Sequence, residues 1–275
     1  MAYQSLGVQS LEYFPCRYGA SKILFRGPQR DLEGDYIAVM GGSETYGKFV
    51  QHPYPELMEG LLRKQVVNFG CMNAGVDVFA NEQTLLDAAN AASMSVFQIP
   101  GALNLSNRFY AVHPRRNDRF LRASNMLKTI YREVDFTEFN FTRHMLQTLQ
   151  ELSAERFSMV ELELKEAWVG RMKSLVSKIK SPLVLLWLSE RAIKDRCPKG
   201  ILGADPALVD EEMINEIRPF VRDVVEVVVS PKDIELGRKE LVYPEMDEAA
   251  AHSMMGAVAH DMAADALVTC IRQSS

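Results

Sequence analysis

The sequence predicts a three-layer α/β/α sandwich built on a parallel sheet. Two observations carry that prediction. Short apolar segments, β-branched or aromatic in character, recur along the chain, and most run into Gly or Ser. Helical patterns stand between them. Such alternation implies a parallel sheet whose two faces are both covered by its crossover helices. A third observation narrows the class: no segment approaches the roughly 18 apolar residues of a membrane span.

The elements follow in order. YIAVMG (36–41) is the first strand, running into GGSETYG. YPELMEGLLRK (54–64) places Leu57, Met58, Leu61 and Leu62 at helical spacing. QVVNFG (65–70) is the second strand, and EQTLLDAANAAS (82–93) is an Ala/Leu-rich helix. SVFQIPG (95–101) is the third strand. NRFYAVHPRRNDRFLRAS (107–124) reads as a solvated loop entering a helix. Residues 137–180 read as two or three amphipathic helices. The segment 125–180 exceeds a simple crossover, which suggests an inserted cap or an oligomer interface. PLVLLWLS (182–189) and DVVEVVVS (223–230) supply two more strands. VDEEMINEIRPFVRD (209–223) is helical, and AAAHSMMGAVAHDMAADALVTCIRQ (249–273) closes the chain. Residues 1–34 precede the first clear strand and are expected to form an arm or lid packed on an α/β domain spanning 35–275.

Composition bounds the function. The chain has 275 residues, 47% hydrophobic and 24% charged, a globular balance rather than a disordered one. A net charge of −5 offers no basic signature for nucleic acid. The start MAYQSLGVQSLEYF lacks a basic region followed by an apolar run, so the expectation is a cytoplasmic protein without a signal peptide. Cys16, Cys71, Cys197 and Cys270 are scattered without a CxxC pair. That argues against a zinc site and a disulfide scaffold. Neither a metal nor a cofactor is expected.

In parallel sheets of this kind, ligands bind beyond the carboxyl ends of the strands. The segments GGSETYG, GCMNAG and GALNLSN therefore carry most weight. A nucleophilic serine needs an exposed Oγ with backbone N–H groups converging on it, and a glycine-flanked turn between strand and helix provides both. Ser43 fits that description. It fits equally a glycine turn whose serine caps the next helix. The second strand end brings Gly70, Asn73 and Gly75, and the third brings Gly101 and Asn104.

The order GGSETYG, VVNFGCMNAG, GALN resembles the SGNH (GDSL-like) hydrolases. The resemblance implies a flavodoxin-like sheet and an esterase or acyl-transfer activity. It implies Ser43 as nucleophile, with Gly75 and Asn104 completing the oxyanion hole. The glycine position could instead fall on Ala74 or Asn73. VAHDMAADALV (258–268) resembles the final block and implies His260 as general base, with His252 as the competing candidate. The family places an Asp three residues before that histidine, and here the position is Ala257. Asp247, Asp261 or a backbone carbonyl could orient the ring instead. The whole chain also resembles an uncharacterised bacterial protein family sharing PCRYGASKILFRGP, GGSETYGKFV, NAGVDVF and HPRRNDRFLRAS.

Two functions follow. The first is an SGNH-like serine hydrolase acting on a small acyl ester. The second is a catalytically altered or inactive protein of the same fold that binds an anionic ligand bearing phosphate, sulfate or carboxylate. Arg108, Arg115 and Arg116, with Asn73, would line the substrate site, because arginine forks suit such groups. Arg17, Lys22 and Arg26 of the arm could join them. No nucleic-acid or membrane partner is expected, and a homo-oligomer is possible.

Overall fold

Five strands pair in parallel in the order β2-β1-β3-β6-β7. The computed structural model describes residues 11–195 and 202–273. The first ten residues of the expected arm and Cys197 lie outside the described residues.

The chain enters the sheet with β1 (Tyr36–Gly41), followed by a single helical turn α1 (Ser43–Tyr46) and α2 (Tyr54–Leu62). Next come β2 (Gln65–Gly70), α3 (Val76–Asn81), α4 (Gln83–Ala91) and β3 (Met94–Gln98). A hairpin of β4 (Tyr110–His113) and β5 (Arg116–Ala123) then forms a separate antiparallel ribbon. This corrects the expectation of a loop at 107–124. Helices α5 (Asn125–Ile130), α6 (Thr142–Leu152) and α7 (Ala154–Lys178) make up the long insertion. After β6 (Leu183–Ser189) come α8 (Glu211–Ile217), β7 (Asp223–Val228), α9 (Pro231–Arg238), α10 (Glu248–Ala251) and α11 (Ala257–Gln273).

The strands are continuous apolar runs because both sheet faces are covered, and the period-two pleat divides their side chains between two cores. On β1, Tyr36, Ala38 and Met40 face one core, and Ile37 and Val39 face the other. The first core includes side chains of α3, α4, α7 and α8, with Trp168 and Trp187 fully buried. The second is closed by α2, α9 and α11. Helix starts are set by short polar caps that accept orphan N–H groups. Ser124 accepts from Leu127 N, Ser153 from Arg156 N, Asp210 from Met213 N and Ser230 from Asp233 N.

The N-terminal segment packs beside the sheet edge. Tyr18 and Phe25 are buried with ring centroids 5.1 and 5.7 Å from Phe69. Arg26 donates to the carbonyls of Gly47, Val50 and Gln51 at 2.7, 2.9 and 2.7 Å. No described helix is long and apolar enough to cross a membrane.

The strand order places the topological switch between β1 and β3, because the chain moves outward to β2 and then returns across β1. A crevice opens at such a point beyond the strand ends.

Candidate ligand site at the strand ends

Glycine at position 41 is required by packing. A Cβ there would stand 2.0 Å from Thr45 Oγ1 and 2.7 Å from Gln98 Cβ. Gly42 meets no such obstacle, since its nearest neighbour would be Ala74 O at 3.9 Å. Ser43 therefore emerges directly above the β1 end, beside a cavity of about 610 Å³. Asn73, Gln98, Asn104, Asp118 and Arg238 line the same cavity.

Asn73 lies in the left-handed region at φ 57°, where asparagine is among the more readily tolerated residues. That turn aims both its backbone and its side chain at Ser43. Asn73 N donates to Ser43 Oγ at 3.0 Å, and Ser43 Oγ donates to Asn73 Oδ1 at 3.2 Å. Asn73 Nδ2 in turn donates to Asp118 Oδ2 at 3.3 Å. Asn104 accepts on Oδ1 from Thr142 Oγ1 at 2.6 Å, which leaves Nδ2 as a donor without a partner among the described residues. The structure thus brings together Ser43, Asn73 and Asn104 of the sequence-predicted set.

Gly75 has a different part. Its N–H donates to Asn117 Oδ1 at 3.1 Å, so it does not point at Ser43. The backbone N–H at the serine belongs to Asn73, one of the two alternatives the sequence left open. A Cβ on Gly75 would fall 1.8 Å from Asn104 O. Glycine there permits the close crossing of two chain segments.

The expected pairing of Ser43 with His260 is corrected. His260 is fully buried under α2. Its Nδ1 accepts from Tyr54 N at 3.1 Å, and its ring stacks on Tyr54 with centroids 5.8 Å apart. Nε2 lies 3.3 Å from Glu44 Oε2, out of line for a hydrogen bond. Glu44 Oε1 accepts from Met255 N at 3.0 Å. The acid facing His260 is therefore Glu44, and neither Asp247 nor Asp261 contacts the ring among the described hydrogen bonds and ion pairs. Every histidine of the chain is described, and none lines the cavity. His52 pairs with Glu56, His113 accepts from the N–H groups of Arg115 and Arg116, and His144 packs edge-on against Phe139. His252 is exposed on the loop just before the cavity-lining Ser253.

Asp118 was not foreseen. It reaches the cavity because the β4–β5 hairpin lays its residues across the strand ends. Burial pushes its carboxyl above the ordinary aspartate range, against the opposing pull of Arg119, Arg116 and the Asn73 bond. Its Oδ1 is buried with no partner among the described residues. The neighbouring Cys71 thiol is pushed up to about 11 by burial first and by the Asp118 charge second.

The model of one family, described as Domain of unknown function (DUF6473), matches residues 1–275. The chain belongs to this family. No curated protein matches it. Among solved structures, a lipase, Lip_vut3 from goat rumen metagenome, is similar at 13% identity with a TM-score of 0.37, over 82% of this chain and 100% of that one.

The arginines expected to bind an anion in this DUF6473 chain are dispersed. Arg108 is bound to Glu163 and lies 3.2 Å from Glu166. Arg115 and Arg116 sit at the exposed hairpin turn and do not line the cavity. Arg26 is committed to three carbonyls. The cavity's own cations are Arg143, paired with Asp205 at 2.9 Å, and Arg238, whose Nε donates to Met254 O at 3.1 Å.

Proposed function

We propose that this chain is a catalytically altered relative of the SGNH hydrolases that binds a small polar ligand in the Ser43 cavity. One observation carries the reading. The histidine expected to activate Ser43 is sealed between Tyr54 and Glu44, and no other imidazole lines the cavity. A serine hydroxyl is a weak nucleophile unless a base lies within hydrogen-bond reach. Ser43 instead exchanges two hydrogen bonds with Asn73, which suits a polar contact to ligand better than attack on a carbonyl. Asn104 Nδ2 and the cavity volume supply the rest of a binding site.

The test is covalent labelling of the full chain with a fluorophosphonate probe, together with release of p-nitrophenol from p-nitrophenyl acetate. The expected result is no labelling of Ser43 and equal release by the wild type and Ser43→Ala. Labelling that disappears in Ser43→Ala overturns the reading.

A hydrolase reading is favoured by one observation, the unpartnered Asn104 Nδ2 at the Ser43 cavity, the kind of donor an oxyanion hole uses. Under it the base is a carboxylate, Asp118, which comes within reach of Ser43 only once the intervening Asn73 side chain moves aside, and labelling of Ser43 falls in Asp118→Asn.

A further inference from the structure

The charge inside the cavity does not match an anionic ligand. Four carboxylates line it, Glu44, Asp118, Glu190 and Asp205, against Arg143 and Arg238. Asp205 is neutralised by Arg143. Glu44 is held by Met255 N and faces His260. Asp118 and Glu190 remain against Arg238 alone, and Glu190 has no partner among the described residues. Beyond the cavity, Arg116 and Arg119 act on Asp118 from its own strand.

Around Asp118 three acceptors stand together, beside two amide donors, Asn73 Nδ2, spent on Asp118 Oδ2, and Asn104 Nδ2. The Asp118 carboxylate, Asn73 Oδ1 and Ser43 Oγ are tied into one chain by bonds of 3.3 and 3.2 Å, long enough to be exchanged for stronger ones. A buried carboxylate oxygen with no donor costs free energy that a partner would recover. Oδ1 reaches a ligand by rotation of the carboxylate, for which the 3.3 Å bond from Asn73 is a weak restraint.

Resting on the binding reading above, we propose that the cavity selects a small amine-bearing cation, whose ammonium is held by Asp118 with Asn73 Oδ1 and Ser43 Oγ as the neutral acceptors. An ammonium carries three donors and no acceptor, which matches this set. Charge-assisted hydrogen bonds of this kind are about twice as strong as neutral ones.

Titration calorimetry on the full chain tests this with two series of matched size. The first is 4-aminobutan-1-ol, butane-1,4-diol and 4-hydroxybutanoate. The second is glucosamine, N-acetylglucosamine and glucuronate. In at least one series the amine binds about tenfold tighter than its neutral and acidic counterparts, equivalent to about 1.4 kcal/mol. That preference collapses in Asp118→Asn and weakens in Glu190→Gln, with both variants checked for native circular dichroism. A neutral or acidic member that binds as tightly overturns the inference, as does a preference that survives in folded Asp118→Asn, or no binding in either series. Preference for the acid overturns only the ligand class, whereas fluorophosphonate labelling of Ser43 overturns the binding reading itself.

Discussion

His260 contributes to this molecule through what it satisfies. Its Nδ1 accepts from Tyr54 N–H, and its ring packs against Tyr54 where α2 meets α11. Replacing it with alanine strands a buried donor and opens a cavity. The expected cost for His260→Ala is about 2–4 kcal/mol, read from urea unfolding. Positions 75 and 42 offer a matched pair of glycines. Gly75→Ala forces a Cβ onto Asn104 O and costs about 1–3 kcal/mol or more, while Gly42→Ala enters open space and changes stability by under about 0.5 kcal/mol. Asp118 makes a prediction of sign. Its carboxyl is raised in the folded chain, so the native state holds that proton more tightly than the unfolded chain does. Its contribution is therefore present below the ordinary value of 3.8 and lost as pH rises through the raised one. Asp118→Asn removes that loss: its urea midpoint at neutral pH exceeds the wild type, and the gain shrinks as pH falls toward 4. A functional carboxylate kept at a cost to stability fits a binding site better than a purely structural role.

The β4–β5 hairpin is the element that turns strand ends into a site. Its anchor is Asn117, fully buried, which accepts from Gly75 N and donates to His113 O at 2.9 Å. Asn117→Ala leaves the Gly75 N–H unpartnered, and the expected loss is about 1–3 kcal/mol in chemical denaturation. The same substitution broadens the amide resonances of Asn73 and Asn104, because the hairpin no longer fixes the segment between them. This element was hidden in the sequence for a physical reason. In RNDRFLRA only Asn117, Phe120 and Ala123 are buried, so the strand reads as a run of solvated charge. The five sheet strands were legible because burial on both faces makes each an apolar run. Ser43 and Asn104 were legible because a strand end in a parallel sheet has a fixed place. The position of His260 was not, because the opening of α11 is built of small residues that suit a buried ring as well as an exposed one, and its acid Glu44 lies 216 positions earlier.

Across the whole molecule, tyrosine burial couples the layers to alkaline pH. Burial raises Tyr18, Tyr36, Tyr46, Tyr54, Tyr110 and Tyr131, six of the nine tyrosines in the chain. Tyr18, Tyr46 and Tyr131 are pushed up to about 12, and Tyr54 and Tyr110 higher still. They belong to different parts of the fold: the N-terminal segment, the start of β1, the Ser43 turn, the start of α2, the hairpin and the end of α5. Each phenol titrates nearer its ordinary value of 10.0 once unfolded. The stability tied to these groups is therefore complete below about pH 10 and lost as pH rises toward 12. Because the groups are spread through one pair of cores on a single sheet, their ionisation and the loss of the fold are expected to be one event. A pH titration followed at 295 nm for tyrosinate and at 222 nm for helix gives coincident, steep transitions between pH 10 and 12. Tyrosinate signals from the buried set that develop fully while the helix signal holds would show that the layers open separately, and that the Ser43 turn is not locked to the rest of the sheet.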